Sequence, residues 1–182
     1  AAMVQTCHDQ LGGPDILINN AGIQHVAPLD EYPLDKWDQL IAILLSAPFH
    51  AMRAALPFMK EKGWGRIIST ASAHSLVASP FKSAYVAAKH GVIGLTKTGS
   101  LEYAGLGIRV NAVLPGAIDT PMLRHALVQN NFTEEDFAPA LSLFGRFGKA
   151  EEVGEASAWL CSDASSYVTG HSLAVEGGYL TR

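Results

Sequence analysis

The chain has 182 residues, 48% of them apolar and 16% charged, a balance that fits one packed globular domain and excludes a disordered or fibrous chain. A formal net charge of -4, with no cluster of Lys or Arg, supplies no basic face for nucleic acid or for an anionic membrane. Cys7 and Cys161 form neither a C-x-x-C pair nor a disulfide framework. No stretch reads as the ~20 consecutive apolar residues of a membrane span. The expectation is therefore a cytoplasmic protein whose partner is a small neutral or anionic molecule.

The first residues, AAMVQTCHDQLGG, read as the end of an amphipathic helix closed by glycine. Asp15 to Gly22 (DILINNAG) is a short apolar run that opens into small polar residues, as a buried parallel strand does at its carboxyl end. Pro33 and Asp35 start a helix, and Trp37, Leu40, Ile41, Leu44 and Leu45 recur at helical spacing. That helix is expected to reach about Lys62, with a kink or break caused by Pro48 and Pro57. Arg66 to Ser72 (RIISTAS) is a second strand, Ala84 begins a long Ala- and Gly-rich helix, and Ile108 to Gly116 (IRVNAVLPG) is a third strand. Residues 120 to 148 are of mixed polarity; a helix from Ala150 to Ser162 and a last strand at Ser172 to Gly178 complete the order. Strands alternating with helices imply an α/β doubly wound parallel sheet, three layers deep, forming a single domain over residues 1 to 182. In such sheets ligands lie beyond the carboxyl ends of the strands.

Tyr85 and Lys89 are four apart, so both rise from one helix face about a turn apart. An ammonium beside a phenol favours the phenolate, which would let Tyr85 exchange a proton nearer neutral pH. Ser72 closes the preceding strand, where its hydroxyl is placed to hydrogen-bond a reacting oxygen. Alone, Y-x-x-x-K is as well explained by a solvated surface pair. The seven histidines form no H-x-x-x-H and no His/Cys cluster, so no metal site is expected.

NNAG at Asn19 to Gly22, Ser72, YVAAK at Tyr85 to Lys89, RVNAVLPGAIDTPM from Arg109 and VEGGY from Val175 occur in this order along the chain. The series resembles the short-chain dehydrogenase/reductase family. The resemblance implies a Rossmann-type domain that transfers hydride between a nicotinamide cofactor, NAD with NADP left open, and a secondary alcohol or ketone. By that resemblance Ser72, Tyr85 and Lys89 are catalytic, and Asn20, Ala21, Gly22, Pro115, Gly116, Ile118 and Thr120, with Tyr85 and Lys89, border the cofactor.

The stretches NNAGIQHVAPL, AILLSAPFHAMRAALPFMK and SAHSLVASPFKSAYVAAKHG are similar to the D-3-hydroxybutyrate dehydrogenase branch. There the substrate is a short 3-hydroxy acid, and carried over by position Gln24, His74 and Lys82 would hold its carboxylate. The sequence departs from that pattern at several places. Leu44 stands where many members carry an asparagine supporting a water-linked proton path. Ala126, after Arg124 and His125, stands where the branch has a carboxylate-binding glutamine, and Tyr179 stands where a closing tryptophan often follows the last strand. Residues 121 to 148 would form a mobile lid. The glycine-rich T-G-x-x-x-G-x-G phosphate loop is not in the sequence, so the chain reads as an N-terminally incomplete domain. Three readings follow: a 3-hydroxy acid dehydrogenase, a reductase of another secondary alcohol or 3-oxoacyl substrate, and a truncated non-catalytic copy. The resemblance also implies a homo-tetramer assembled through the two long helices.

Overall fold

The structure, a computed structural model, describes residues 2–129 and 131–181. Four strands, β1 (Ile16–Asn19), β2 (Gly65–Thr70), β3 (Ile108–Pro115) and β4 (Ser172–Val175), form one parallel sheet in the order β1-β2-β3-β4. All strands point the same way, so their carboxyl ends share one rim, where the loops Asn20–Gly22, Ala71–Ser75, Gly116–Thr120 and Glu176–Gly178 meet.

One sheet face is covered by α3 (Ala47–Lys62) and α4 (Ser83–Tyr103), with α1 (Ala2–Leu11) packed on α3; the other is covered by α7 (Ala150–Cys161). The alternation of the strands distributes their apolar residues accordingly. Ile67, Ile108 and Val110 pack with Met52 and Met59 on the first face, while Ile68 and Val113 pack with Leu160 on the second. On the α7 face the covering stops short of β1, leaving Ile16 and Ile18 half exposed at 47% and 46%. β1 carries no strand partner on its outer edge among the described residues.

α2 (Leu34–Ile41), a π-helical turn (Ala42–Ser46) and α3 run on as one 29-residue helix from Leu34 to Lys62. The helix is long and apolar enough to cross a bilayer, which the sequence reading did not anticipate. Its buried side chains, Leu40, Leu44, Met52, Ala55 and Met59, face the protein's own core instead. The irregularity expected from the prolines is the π turn: Pro48 has no N–H for the carbonyl of Leu44, and the chain widens just there. Pro57 lies inside α3 without ending it. Gly63 closes α3 in the left-handed conformation.

Residues 120 to 148, unassigned from their mixed polarity, contain α5 (Pro121–Gln129) and α6 (Glu134–Leu141). The segment starts and ends at one place, because Ile118 bridges Gly148 and the Asp119 N–H donates to the Gly148 carbonyl at 2.8 Å. Leu127, Ala138 and Phe147 give it a small core of its own.

Candidate active site

Ser72 follows β2 in extended backbone and starts the turn Ala73–Ser75. Its Oγ accepts from the His74 N–H at 3.1 Å while its own N–H donates to Ser75 Oγ at 3.1 Å, a reciprocal capping box that fixes the hydroxyl. Tyr85 lies in the first turn of α4, and Lys89 one turn on is 5% exposed. The Lys89 Nζ donates to the Thr70 carbonyl at 2.5 Å and lies 5.6 Å from the centre of the Tyr85 ring. The ammonium thus lies over the Tyr85 ring while the Ser72 hydroxyl hydrogen-bonds the phenol.

Burial pushes the Tyr85 phenol above its ordinary value, and the hydrogen bond with Ser72 pulls the other way. The depression expected from Lys89 is not what governs Tyr85 here. Lys89 itself is pushed down to about 8 by burial. In this arrangement the phenol holds its proton at neutral pH, the form needed to protonate a carbonyl oxygen.

Thr70 was missed by sequence reasoning. It joins the site from both ends, its carbonyl receiving Lys89 and its Oγ1 donating to Asn20 Oδ1 at 3.0 Å. The signal was present in the strand period, since Thr70 is two residues before Ser72. Asn20, Ala21 and Gly22 start the exposed loop after β1, and Pro115 ends β3 with Gly116 and Ile118 in the loop beyond it, all three partly exposed. Gly116 is required by close approach: a Cβ there would stand 2.7 Å from the Glu176 backbone. Thr120 Oγ1 accepts from the Leu123 N–H at 3.4 Å, at the start of α5.

His74 has its ring edge-on to Tyr85, with centroids 6.4 Å apart, and to Tyr179 at 6.0 Å. Burial, then the charge of Lys82, lowers His74 to about 4, so it is a neutral imidazole at physiological pH. Lys82, the residue before α4, is lowered by burial. Gln24 is exposed on the loop after β1, and that loop is fastened to the Lys82 turn by the Ala27 N–H donating to the Phe81 carbonyl at 3.0 Å. The structure therefore gathers Ser72, Tyr85, Lys89, His74 and Lys82 closely and places Gln24 on the adjoining wall.

Arg124, two residues before Ala126, is engaged away from the Tyr85 site. Its guanidinium makes a bidentate pair with Asp119, at 2.5 and 2.7 Å, and a further bond to Glu134 at 3.0 Å. Leu44 is 1% exposed and packs with Leu40, Ala84 and Ala88, an apolar wall where a water path would need polar groups.

Residues 1–180 match the family model described as Enoyl-(Acyl carrier protein) reductase. The chain is 45% identical over 187 residues to a D-beta-hydroxybutyrate dehydrogenase of Rhizobium meliloti (strain 1021), covering 98% of this chain and 72% of that protein. The chain belongs to the short-chain dehydrogenase/reductase family. Other members of this family are similar too. A 3-oxoacyl-[acyl-carrier-protein] reductase FabG of Thermotoga maritima is 39% identical over 178 residues, covering 97% of this chain and 70% of that one. The crystal structure of a gluconate 5-dehydrogenase from Burkholderia cenocepacia J2315, in complex with NADP and tartrate, superposes with a TM-score of 0.92 at 36% identity. That match covers 100% of this chain and 70% of the solved one. The protein is accordingly a short-chain oxidoreductase that works with a nicotinamide cofactor.

The residues present suit that cofactor. Lys89 uses one bond on Thr70, and an ammonium has three donors, which leaves two for the hydroxyls of a ribose. Asn20, Ala21 and Gly22, just past the end of β1, are exposed on the same rim of the sheet.

Proposed function

We propose that this protein interconverts a short 3-hydroxy acid, such as 3-hydroxybutyrate, and its 3-oxo acid, such as acetoacetate, with NAD as cofactor. The observation that carries the reading is that the His74 ring stands edge-on to Tyr85 and feels the charge of Lys82, while Ser72 hydrogen-bonds the phenol and the Lys89 ammonium lies over its ring. A cationic amine and a neutral imidazole about one short chain-length from the phenol suit a carboxylate two carbons from the reacting carbonyl.

Asn20, Ala21, Gly22, Pro115, Gly116, Ile118 and Thr120 would border the cofactor, with Tyr85 and Lys89 beside the nicotinamide ribose. The bound nicotinamide supplies the hydride chemistry. The chain's own residues manage the proton. Ser72 Oγ hydrogen-bonds the substrate oxygen, and Tyr85 Oη gives that oxygen a proton in reduction and removes it in oxidation. Lys89 stabilises the phenolate left behind, which is when its charge beside the ring matters most. Lys89 is held by the Thr70 carbonyl, and the Thr70 hydroxyl in turn donates to Asn20, while the wall around Leu44 is apolar.

Substitution tests the reading. Lys82→Ala should raise KM for acetoacetate at least about tenfold and leave a neutral ketone such as butanone nearly unaffected. Equal effects on both substrates would refute the carboxylate grip. A second reading, reduction of another secondary alcohol or a 3-oxoacyl group, is favoured by one observation: Arg124 is locked to Asp119 and Glu134, and Ala126 offers no amide. The third reading, a copy without catalysis, predicts no detectable binding of reduced nicotinamide by fluorescence titration. Assembly as a tetramer in the cytoplasm completes the proposal; the assembly is supported by an apolar groove that Leu45 and Phe49 of the long Leu34–Lys62 helix form with Gly91 and Leu95 of α4.

A further inference from the structure

Phe81 has φ 63°, the left-handed region that a bulky L-residue avoids, and its side chain is 58% exposed. It follows Pro80 in a turn, at a place where glycine or asparagine relieves the crowding. Little ring burial offsets the strain, so the backbone around it must supply the reason that the conformation persists. Two main-chain bonds flank the residue. The Phe81 carbonyl accepts from the Ala27 N–H at 3.0 Å, and the next carbonyl, that of Lys82, accepts from the Val86 N–H at 2.8 Å as α4 begins. Lys82 caps α4 with no side-chain hydrogen bond, so its amine is free of that duty and bears on His74 by its charge.

We propose that Phe81 is a positioning residue for substrate carboxylate binding: its strained turn clasps the Gln24–Ala27 loop to the start of α4. The clasp fixes the spacing between Gln24 on one wall and Lys82 on the other. The inference rests on the reading that these residues hold a carboxylate. A grip whose two sides are joined by a main-chain bond loses little freedom when the anion arrives. A turn that flexes would pay that ordering on binding, and the loss would fall on carboxylates alone.

The test uses the full-length enzyme with three substitutions. Phe81→Gly adopts the same φ without crowding, so it folds, but it restores mobility to the turn. Phe81→Asn also removes the ring yet tolerates the left-handed backbone with less freedom than glycine. Lys82→Ala serves as the control. In Phe81→Gly, KM for acetoacetate and the competitive inhibition constant of propionate should rise about fivefold, with kcat and the butanone kcat/KM within about twofold of wild type. Phe81→Asn should retain wild-type values. The inference is overturned if Phe81→Gly leaves both carboxylate constants unchanged while Lys82→Ala raises them, or if it weakens butanone equally. It is also overturned if Phe81→Asn matches Phe81→Gly, because the ring and not the backbone would then be responsible. If Lys82→Ala changes no carboxylate constant, the carboxylate reading itself fails, and the clasp with it.

Discussion

Replacing Lys89 by methionine should separate what its amine does for the chemistry from what it does to the fold. Burial drops the lysine from its ordinary 10.5 to about 8, so holding it charged at pH 7 opposes folding by about 3 kcal/mol. The methionine removes that opposition but strips the Thr70 carbonyl of its donor, a loss of about 1–3 kcal/mol. The two nearly cancel, and urea unfolding at neutral pH should place Lys89→Met within about 1 kcal/mol of wild type. The pH dependence distinguishes this from coincidence. Because the folded value is lower than the unfolded one, the unfolded chain binds more protons between about pH 8 and 10.5, and wild-type stability rises with pH across that window. Relative to Lys89→Met, wild type should gain about 2 kcal/mol between pH 7 and pH 9.5. Taking the difference between the two proteins cancels the opposing titration of the remote Cys161, whose value is raised by burial. Turnover by the variant should fall at least about a hundredfold at every pH. Equal pH slopes for the two proteins would refute the claim that the amine is held against a desolvation penalty.

His74 is lowered to about 4, so KM for acetoacetate should be flat between about pH 5 and 8, and nuclear magnetic resonance of its ring should show no inflection there. The same shift means that stability is lost as pH falls from about 6.5 toward 4, where the unfolded chain takes the proton first. Arg124→Ala should change acetoacetate KM less than about threefold and stability by under about 1 kcal/mol, since its ion pairs with Asp119 and Glu134 are half exposed. A hundredfold KM effect would place Arg124 in the substrate site. Leu44→Asn should not speed turnover and should destabilise the fold by about 2–4 kcal/mol in denaturant titration, because an amide there meets apolar neighbours.

Much of this architecture could be read from residue patterns alone. The runs ILIN, RIIS and RVNAVL contain too few polar residues for a sheet with a wet face, and they appear as the parallel strands β1, β2 and β3, of which β2 and β3 are buried and β1 is half exposed on one face. The spacing of Tyr85 and Lys89 was legible for the same reason, since four residues on a helix define a face. The helices α5 and α6 were not, because they bury only a small local cluster and so show a weak apolar period. Thr70 escaped because its role lies in a carbonyl as much as in a side chain, and the sign of the Tyr85 shift depended on burial that no spacing reveals. The engagement of Arg124 by Asp119 and Glu134 was equally illegible, because it depends on how the segment from α5 to α6 folds back on itself.

The claim on which the rest depends is that the Tyr85 hydroxyl moves the proton. Its most direct test follows the absorbance of reduced nicotinamide as full-length wild type and Tyr85→Phe act on 3-hydroxybutyrate, together with fluorescence titration of the reduced cofactor into each. The account predicts that the phenylalanine variant binds the cofactor as wild type does and turns over at least about a hundredfold more slowly. It also predicts that wild-type oxidation quickens as pH rises and the buried phenol ionises. A Tyr85→Phe enzyme that oxidised the substrate at near wild-type rate with the cofactor bound would contradict it.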